Sequence, residues 1–220
     1  ISDVATDATL SSLYAAKAPN GDTKLFAAGD EAVYLVNGVG ALTDVSGETY
    51  SAASRVRFTQ FGKNIIFTNN SEPLQSYVLG TSTEFADLSA DAPIAKYITV
   101  VRDFVVVANT FEDAEQQQYR VRWSDLNDET EWTYSDITQA DFQDLPDGGQ
   151  IMGIRGGEFG IVLMERGIYR MSYIGTPLIF QFDNISRGKG CISAGSIAQY
   201  QGITFFLSDD GFYMCDGQQV

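Results

Sequence analysis

Carboxylates are the side chains in this sequence with the number and spacing for acid–base chemistry. Asp103, Glu158, Glu165 and Asp183 stand beside strand-like runs. A glycoside hydrolase needs two such groups roughly 5–10 Å apart, one to protonate the leaving oxygen and one to attack or to activate water. Their settings favour a plainer role: Glu165 stands at a hairpin tip, and Asp103 and Glu158 open strands after turns, where solvated acids are common. The 220 residues contain no histidine, which excludes Ser-His-Asp and Cys-His nucleophilic catalysis, HExxH zinc sites and histidine proton shuttles. Cys191 and Cys215 are the only cysteines. Two thiols make neither a four-cysteine zinc site nor a disulfide-rich scaffold, and we read them as free thiols with a bridge as the alternative. No catalytic residue, metal ligand or cofactor site is assigned, and the chain is read as a non-enzyme.

Other motifs carry little chemistry. The string SDDGFYM from Ser208 invites comparison with the Asp-box turn of sialidases, but Gly211 directly follows Asp210 and no tryptophan closes the motif. DLNDETE from Asp125 gathers oxygen ligands of the kind calcium takes, without the glycine and terminal glutamate spacing of an EF-hand loop. GIRGGEFG from Gly153 lies between strands with no helix after it, so it is a turn and not a phosphate loop. Arg187 and Lys189, flanked by Gly188 and Gly190, form a compact basic spot on an inter-sheet loop, where partners commonly bind. Trp123 and Trp132 flank an acidic loop containing Asp125, Asp128 and Glu129. Either the two indoles pack the loop ends or one is an exposed interface anchor. These seven residues are the candidate interface.

The elements that must position them read as all-β. Hydrophobic residues make up 44% and aromatics 12%, enough for a core, and 21 glycines punctuate short β-branched and aromatic runs. Five strand pairs recur, at 23–38, 64–80, 103–123, 158–173 and 203–217. Three share a tight polar turn followed by a strand centred on Tyr34, Tyr169 or Tyr213. Alternation is expected to give Phe26, Leu163 and Phe206 equivalent buried settings. A further strand precedes each pair, at 12–16, 56–61, 95–101, 150–155 and 194–200, and a fourth follows four of them, at 42–45, 84–88, 131–137 and 178–184. The second strands centre near Leu25, Ile66, Val105, Ile161 and Phe205, spaced about 41, 39, 56 and 44 residues apart. A four-stranded repeat of this period predicts a β-propeller of about five blades in one domain, at 10–47, 54–88, 94–137, 149–184 and 193–220. A β-sandwich is the competing architecture, and it leaves the recurring hairpin chemistry unexplained. Residues 1–5 are a candidate outer strand for the fifth blade. The opening Ile1 and the ending GQQV suggest a piece of a larger propeller protein.

Charge narrows the partners. The formal net charge is −15, opposite to what a protein needs to grip phosphates or anionic lipid. Residues 111–147 hold eleven acidic and two basic residues, net −9, and read as a solvated loop or an acidic face toward a partner or channel. No apolar run approaches the roughly 18 residues of a membrane helix.

Several strings resemble structural proteins of tailed bacteriophages: APIAKYITVVRDFVVVANT from Ala92, SRVRFTQFGKNIIFTNN from Ser54, RVRWSDLNDETEW from Arg120 and, most specifically, GKGCISAGSIAQYQGITFFLSDDGFYMCDGQQV from Gly188. The family is the tail hub, packaged-DNA stabilisation or tail nozzle proteins of short-tailed phages, and the resemblance spans roughly residues 25–220. It implies a propeller-bearing structural virion protein, assembled in the bacterial cytoplasm into a homo-oligomeric ring of the tail. Such a ring contacts the portal or adaptor and other tail proteins, retains the packaged double-stranded DNA and later passes it without reading its sequence. The family has no catalytic residues to carry over. A carbohydrate-binding or glycoside-processing propeller is the alternative function.

Overall fold

The computed structural model describes residues 9–52 and 54–220. The described chain is all-β apart from one 3-10 turn, Ala194–Ser196. It forms five antiparallel sheets, each a meander in which chain order is strand order. The first holds β1 (Ser12–Lys17), β2 (Thr23–Ala28), β3 (Val33–Val36) and β4 (Leu42–Asp44). The second holds β5 (Arg57–Phe61), β6 (Asn64–Thr68), β7 (Gln75–Val78) and β8 (Ala86–Asp87). The third holds β9 (Ile94–Val101), β10 (Phe104–Glu112), β11 (Glu115–Trp123) and β12 (Asp141–Asp144). The fourth holds β13 (Ile151–Arg155), β14 (Gly160–Met164), β15 (Gly167–Gly175) and β16 (Ile179–Arg187). The fifth has three strands, β17 (Ala198–Tyr200), β18 (Ile203–Ser208) and β19 (Gly211–Cys215). These are the blades of a five-bladed β-propeller. The expected outer strand at residues 1–5 lies outside the described residues.

By contact the chain divides into two compact units, Ile1–Ile98 and Thr99–Val220. The core of the first is aromatic. Phe26, Phe67 and Phe85 are fully buried, and Phe58 and Tyr77 pack against them. Ring centroids are 5.0 Å apart for Phe67–Phe85, 5.3 Å for Phe26–Tyr77 and 5.7 Å for Phe58–Phe67, all edge-on, the arrangement that ring quadrupoles favour. The second unit has an aromatic group of Phe104, Trp123, Tyr173 and Phe180. It also has a cluster of Ile161, Leu163, Ile168, Phe206, Cys191 and Cys215. Both cysteines are free and buried, and burial pushes the Cys215 thiol above its ordinary pKa.

The second strand of a blade is sandwiched on both faces, so it is a continuous apolar run without alternation. In β14 every residue is buried, and in β10 all from Phe104 to Thr110. A close approach fixes one turn: a Cβ on Gly156 would stand 1.8 Å from the Val100 carbonyl oxygen, so Gly156 serves packing, while Gly157, with open space around it and a φ of 137°, serves the turn itself.

Three expectations are corrected. The fourth strand of the third blade is β12 at Asp141–Asp144, and residues 131–137 form a loop. The loop's donors are taken locally: Thr133 N–H binds the Glu131 carboxylate at 2.7 Å, and Ser135 and Thr138 N–H groups bind side-chain hydroxyls. The acidic string FEDAEQQQ is hairpin and not loop, because Asp113 and Ala114 both have left-handed φ (54° and 62°). That is the type I′ turn that joins twisted strands in two residues. Finally, Phe206 faces Tyr213 in register, whereas Phe26 and Leu163 pair with Leu35 and Ile168, one step from their tyrosines. All three side chains are buried, but Phe206 lies on the tyrosine face and the other two on the opposite face.

Candidate functional site

Five of the seven candidate interface residues run from Trp123, the last residue of β11, into the segment joining it to β12. Trp123 and Trp132 are buried, 2% and 1% exposed, so neither serves as an exposed anchor. Both pack the segment's ends, because each indole N–H finds a backbone acceptor inside: Trp123 Nε1 donates to Gln139 O and Trp132 Nε1 to Glu129 O, both at 2.8 Å. Edge-on contact of the Trp123 ring with Phe180 at 5.1 Å completes its pocket.

The carboxylates between them build the loop. Asp125 Oδ1 accepts the Gln139 N–H at 2.6 Å, across fourteen residues. Asp128 Oδ1 accepts both the N–H (2.9 Å) and the hydroxyl (2.6 Å) of Thr130, and these bonds hold its carboxyl below the usual range. Asn127 takes a left-handed φ of 57° and donates its N–H to Asp103 O at 2.9 Å. Ser124, fully buried, accepts the Val105 N–H at 3.1 Å. These carboxylates spend their lone pairs on the backbone, and among the described residues no group of three or more Asp, Glu or Cys side chains is placed to hold a metal ion.

A charge network next to this segment was not legible from spacing. Arg120 forms a bidentate pair with Asp144, Nε at 2.8 Å and Nη2 at 3.0 Å. Its Nη1 lies 3.5 Å from Glu112 Oε2, which Arg122 Nη1 also reaches at 3.1 Å. Arg122 Nη2 donates to Trp132 O at 2.8 Å, and the Arg120 guanidinium sits 4.0 Å from the Phe142 ring centroid. Its carboxylate partners raise the Arg120 pKa. The two arginines of the acidic stretch are therefore its internal ties, and the charge left outward is almost purely negative.

Arg187 is the last residue of β16, and Lys189 follows on the loop toward the fifth blade. Lys189 Nζ pairs with Asp210 at the β18–β19 hairpin tip and lies 5.3 Å over the Tyr213 ring, whose hydroxyl also donates to Asp210 at 3.2 Å. Lys189 is thus partly committed to its own unit. Arg187 is exposed and lines a cleft with Arg166. The hydrogen bond with Asp210 raises the pKa of Lys189, and the bond from Lys189 lowers that of Asp210. The signs follow: the Asp210 contribution is present above the ordinary carboxylate range and fades as pH falls through its lowered value. The Lys189 contribution is present below the ordinary lysine value and fades as pH rises through its raised one. Lys189→Ala is expected to bring the Asp210 titration, followed by carboxyl NMR, up toward the ordinary aspartate range. An unmoved midpoint would refute the pairing.

The four candidate catalytic carboxylates are dispersed among structural duties. Glu165 accepts the Gln150 amide at 2.8 Å, Asp183 accepts the Gln181 amide at 2.7 Å, and Glu158 lies 3.7 Å from Arg102. The Asp103 backbone carbonyl receives the Asn127 N–H. No helix of the described residues is long and apolar enough to cross a membrane.

No protein-family model matches the chain, and no curated protein matches it. Solved structures do. BBS1N, in complex with ARL6DN, is 11% identical with a TM-score of 0.55, covering 95% of this chain and 65% of that one. The computationally designed Ika8 protein is 12% identical with a TM-score of 0.57, covering 97% and 60%. Virginiamycin B lyase from Staphylococcus aureus is 11% identical with a TM-score of 0.55, covering 94% and 64%. The chain spans about 60–65% of the length of these structures. One is an enzyme and another is held in a complex, as expected of a fold that hosts unrelated functions, and at such identities the likeness shows the β-propeller fold alone.

Proposed function

We propose that this chain is a non-enzymatic structural module of a short-tailed phage tail hub or nozzle, forming with further copies a ring that is part of the portal-proximal DNA conduit. The observation that carries the reading is the acidic segment 111–147, with a net charge of −9, folded on a hairpin and a hydrogen-bonded loop. A conduit must hold duplex DNA without trapping it, and fixed carboxylates do this by repelling phosphates and releasing no counterions. At physiological ionic strength the effect fades over about 8 Å, so it needs charges that cannot fold away. The bonds made by Asp125, Asp128 and Arg120 supply that fixity. The phage-like strings from Ser54, Ala92, Arg120 and Gly188 support the reading, and the last of these runs through the whole of β17–β19.

Electron microscopy of the full-length parent protein, with mass photometry of the same sample, tests it. The expected result is a homo-oligomeric ring with an open axial channel wide enough for duplex DNA. A stable monomer with a closed central pocket would overturn the conduit reading.

A further inference from the structure

A cleft of about 390 Å³ in the second unit is lined by Asp147, Gly148, Arg166, Asn184, Arg187 and Gly188, a volume within the small-molecule range of about 300–1,000 Å³. Its two arginines are brought together by the β15–β16 hairpin. Arg187 is the cross-strand partner of Gly167, the residue after Arg166, and Gly188 N–H donates to Arg166 O at 2.9 Å. Elsewhere in this strongly acidic chain Arg102, Arg120, Arg122 and Lys189 face carboxylates. Among the described residues neither the Arg166 nor the Arg187 guanidinium has an ion-pair or hydrogen-bond partner. Two unpaired guanidiniums on one cleft repel each other and present planar donors suited to a carboxylate or phosphate.

The same cleft also holds acceptors. Asn184 lines it, and its Oδ1 is shielded from solvent with no partner, the kind of group a ligand donor satisfies. Its position is set by a bulge: Tyr169 pairs with Asn184 while Ile168 pairs with Ser186, which leaves Ile185 out of register. Asp147, exposed, also lines the cleft and is held by its backbone: its carbonyl accepts the Tyr169 hydroxyl at 3.3 Å, and Gly148 O accepts the Arg166 N–H at 2.8 Å. Arginine donors beside amide and carboxylate acceptors match a ligand that is itself both anionic and rich in hydroxyls. Bare phosphate would leave the Asn184 oxygen unsatisfied and meet the Asp147 carboxylate. A duplex rod needs a broad basic surface that this chain lacks.

We infer that the Arg166–Arg187–Asn184 cleft binds an acidic sugar unit, its carboxylate or phosphate on the two arginines and its hydroxyls on Asn184 and Asp147. This site is independent of the conduit reading. Calorimetric titration of the full chain with glucuronate, glucose 6-phosphate, glucose, inorganic phosphate and a short DNA duplex tests it. Expected are binding of one or both acidic sugars, the better one naming the anion, and none by glucose. Arg166→Gln and Arg187→Gln are each expected to weaken binding about tenfold or more. Asn184→Leu is expected to weaken the acidic sugar while sparing inorganic phosphate, and Lys63→Gln, in the other unit, to change nothing. Amide NMR of the unmutated chain gives a readout free of folding effects, with the Gly148 and Gly188 signals moving first. Absence of binding, phosphate binding as tight as the sugars and indifferent to Asn184→Leu, or binding of the duplex alone would each overturn the inference.

Discussion

Phe85→Ala is expected to lower the stability of the Ile1–Ile98 unit by about 3–5 kcal/mol, the range for emptying a buried aromatic site. Phe85 is fully buried, with ring centroids 5.0 Å from Phe67, 5.3 Å from Tyr77, 5.7 Å from Phe26 and 6.5 Å from Phe58, so one truncation removes a partner from four rings. The site collapses poorly. Phe85 N–H is bound to Val45 O at 2.7 Å, and a Cβ on Gly47 would come within 2.0 Å of the Phe85 carbonyl oxygen; the backbone is clamped on both sides and cannot move into the void. The loss therefore belongs in the upper half of the range. Both tryptophans lie in the other unit, so their fluorescence is not a direct readout of this core. Hydrogen exchange under native conditions, read on the amides of β2, β6 and β7, is. Val39→Ala, at an 81% exposed site in the same unit, is expected to fall within about 0.5 kcal/mol of the parent. A Phe85→Ala loss below about 1 kcal/mol would mean that the cluster closes over the gap, and the account of this core would fail.

The second strands were legible because burial on both faces writes an uninterrupted apolar run, as in residues 104–108 and 161–164. The period of these runs then gave the blades. Edge strands were less legible, because pairing on one side leaves little sequence signature. Residues 131–137 carry tryptophan, tyrosine, threonine and isoleucine and look like a strand, yet their backbone donors go to Glu131, Ser135 and Thr138. The pairing falls to Asp141–Asp144, where Arg120 opposite Asp144 sets the register. The Asp113–Ala114 turn carries little sequence signal, because alanine is not the residue that a left-handed φ of 62° ordinarily selects. At the candidate site, sequence found the acidic segment and Arg187 but not what surrounds them. Trp123 and Trp132 flank charge in sequence and were open to either role, and only the acceptors Gln139 O and Glu129 O decide for the interior. Arg166, Asn184 and Arg187 meet through a one-residue bulge, a detail that no spacing rule contains.

Trp123 is where stability and the proposed function meet, and its substitutions separate two contributions. Trp123→Phe keeps an aromatic ring beside Phe180 and Phe182 but removes the N–H bound to Gln139 O; the expected cost is about 1–3 kcal/mol, that of a buried acceptor left unpaired. Trp123→Ala empties the site as well, and about 3–5 kcal/mol is expected. Urea titration of the Trp132 fluorescence measures both, and equal losses would show that the ring contributes nothing beyond its hydrogen bond. The local consequence is the more telling one. Gln139 is held by three partners, the Trp123 indole, the Asp125 carboxylate and the Tyr173 hydroxyl, and it ends the loop that carries Tyr134 and Ile137 outward, 67% and 93% exposed. Losing the indole frees that end, so limited proteolysis is expected to cut Trp123→Ala near Tyr134 under conditions that leave the parent intact. If the acidic face works by holding its carboxylates in fixed places, this variant keeps every charge and loses the fixity. In the assembled ring it should then pass DNA with altered retention, although its net charge is unchanged. Retention equal to that of the parent, with the loop demonstrably cut or mobile, would show that bulk charge alone suffices and that the ordered hydrogen bonds of this segment serve folding only.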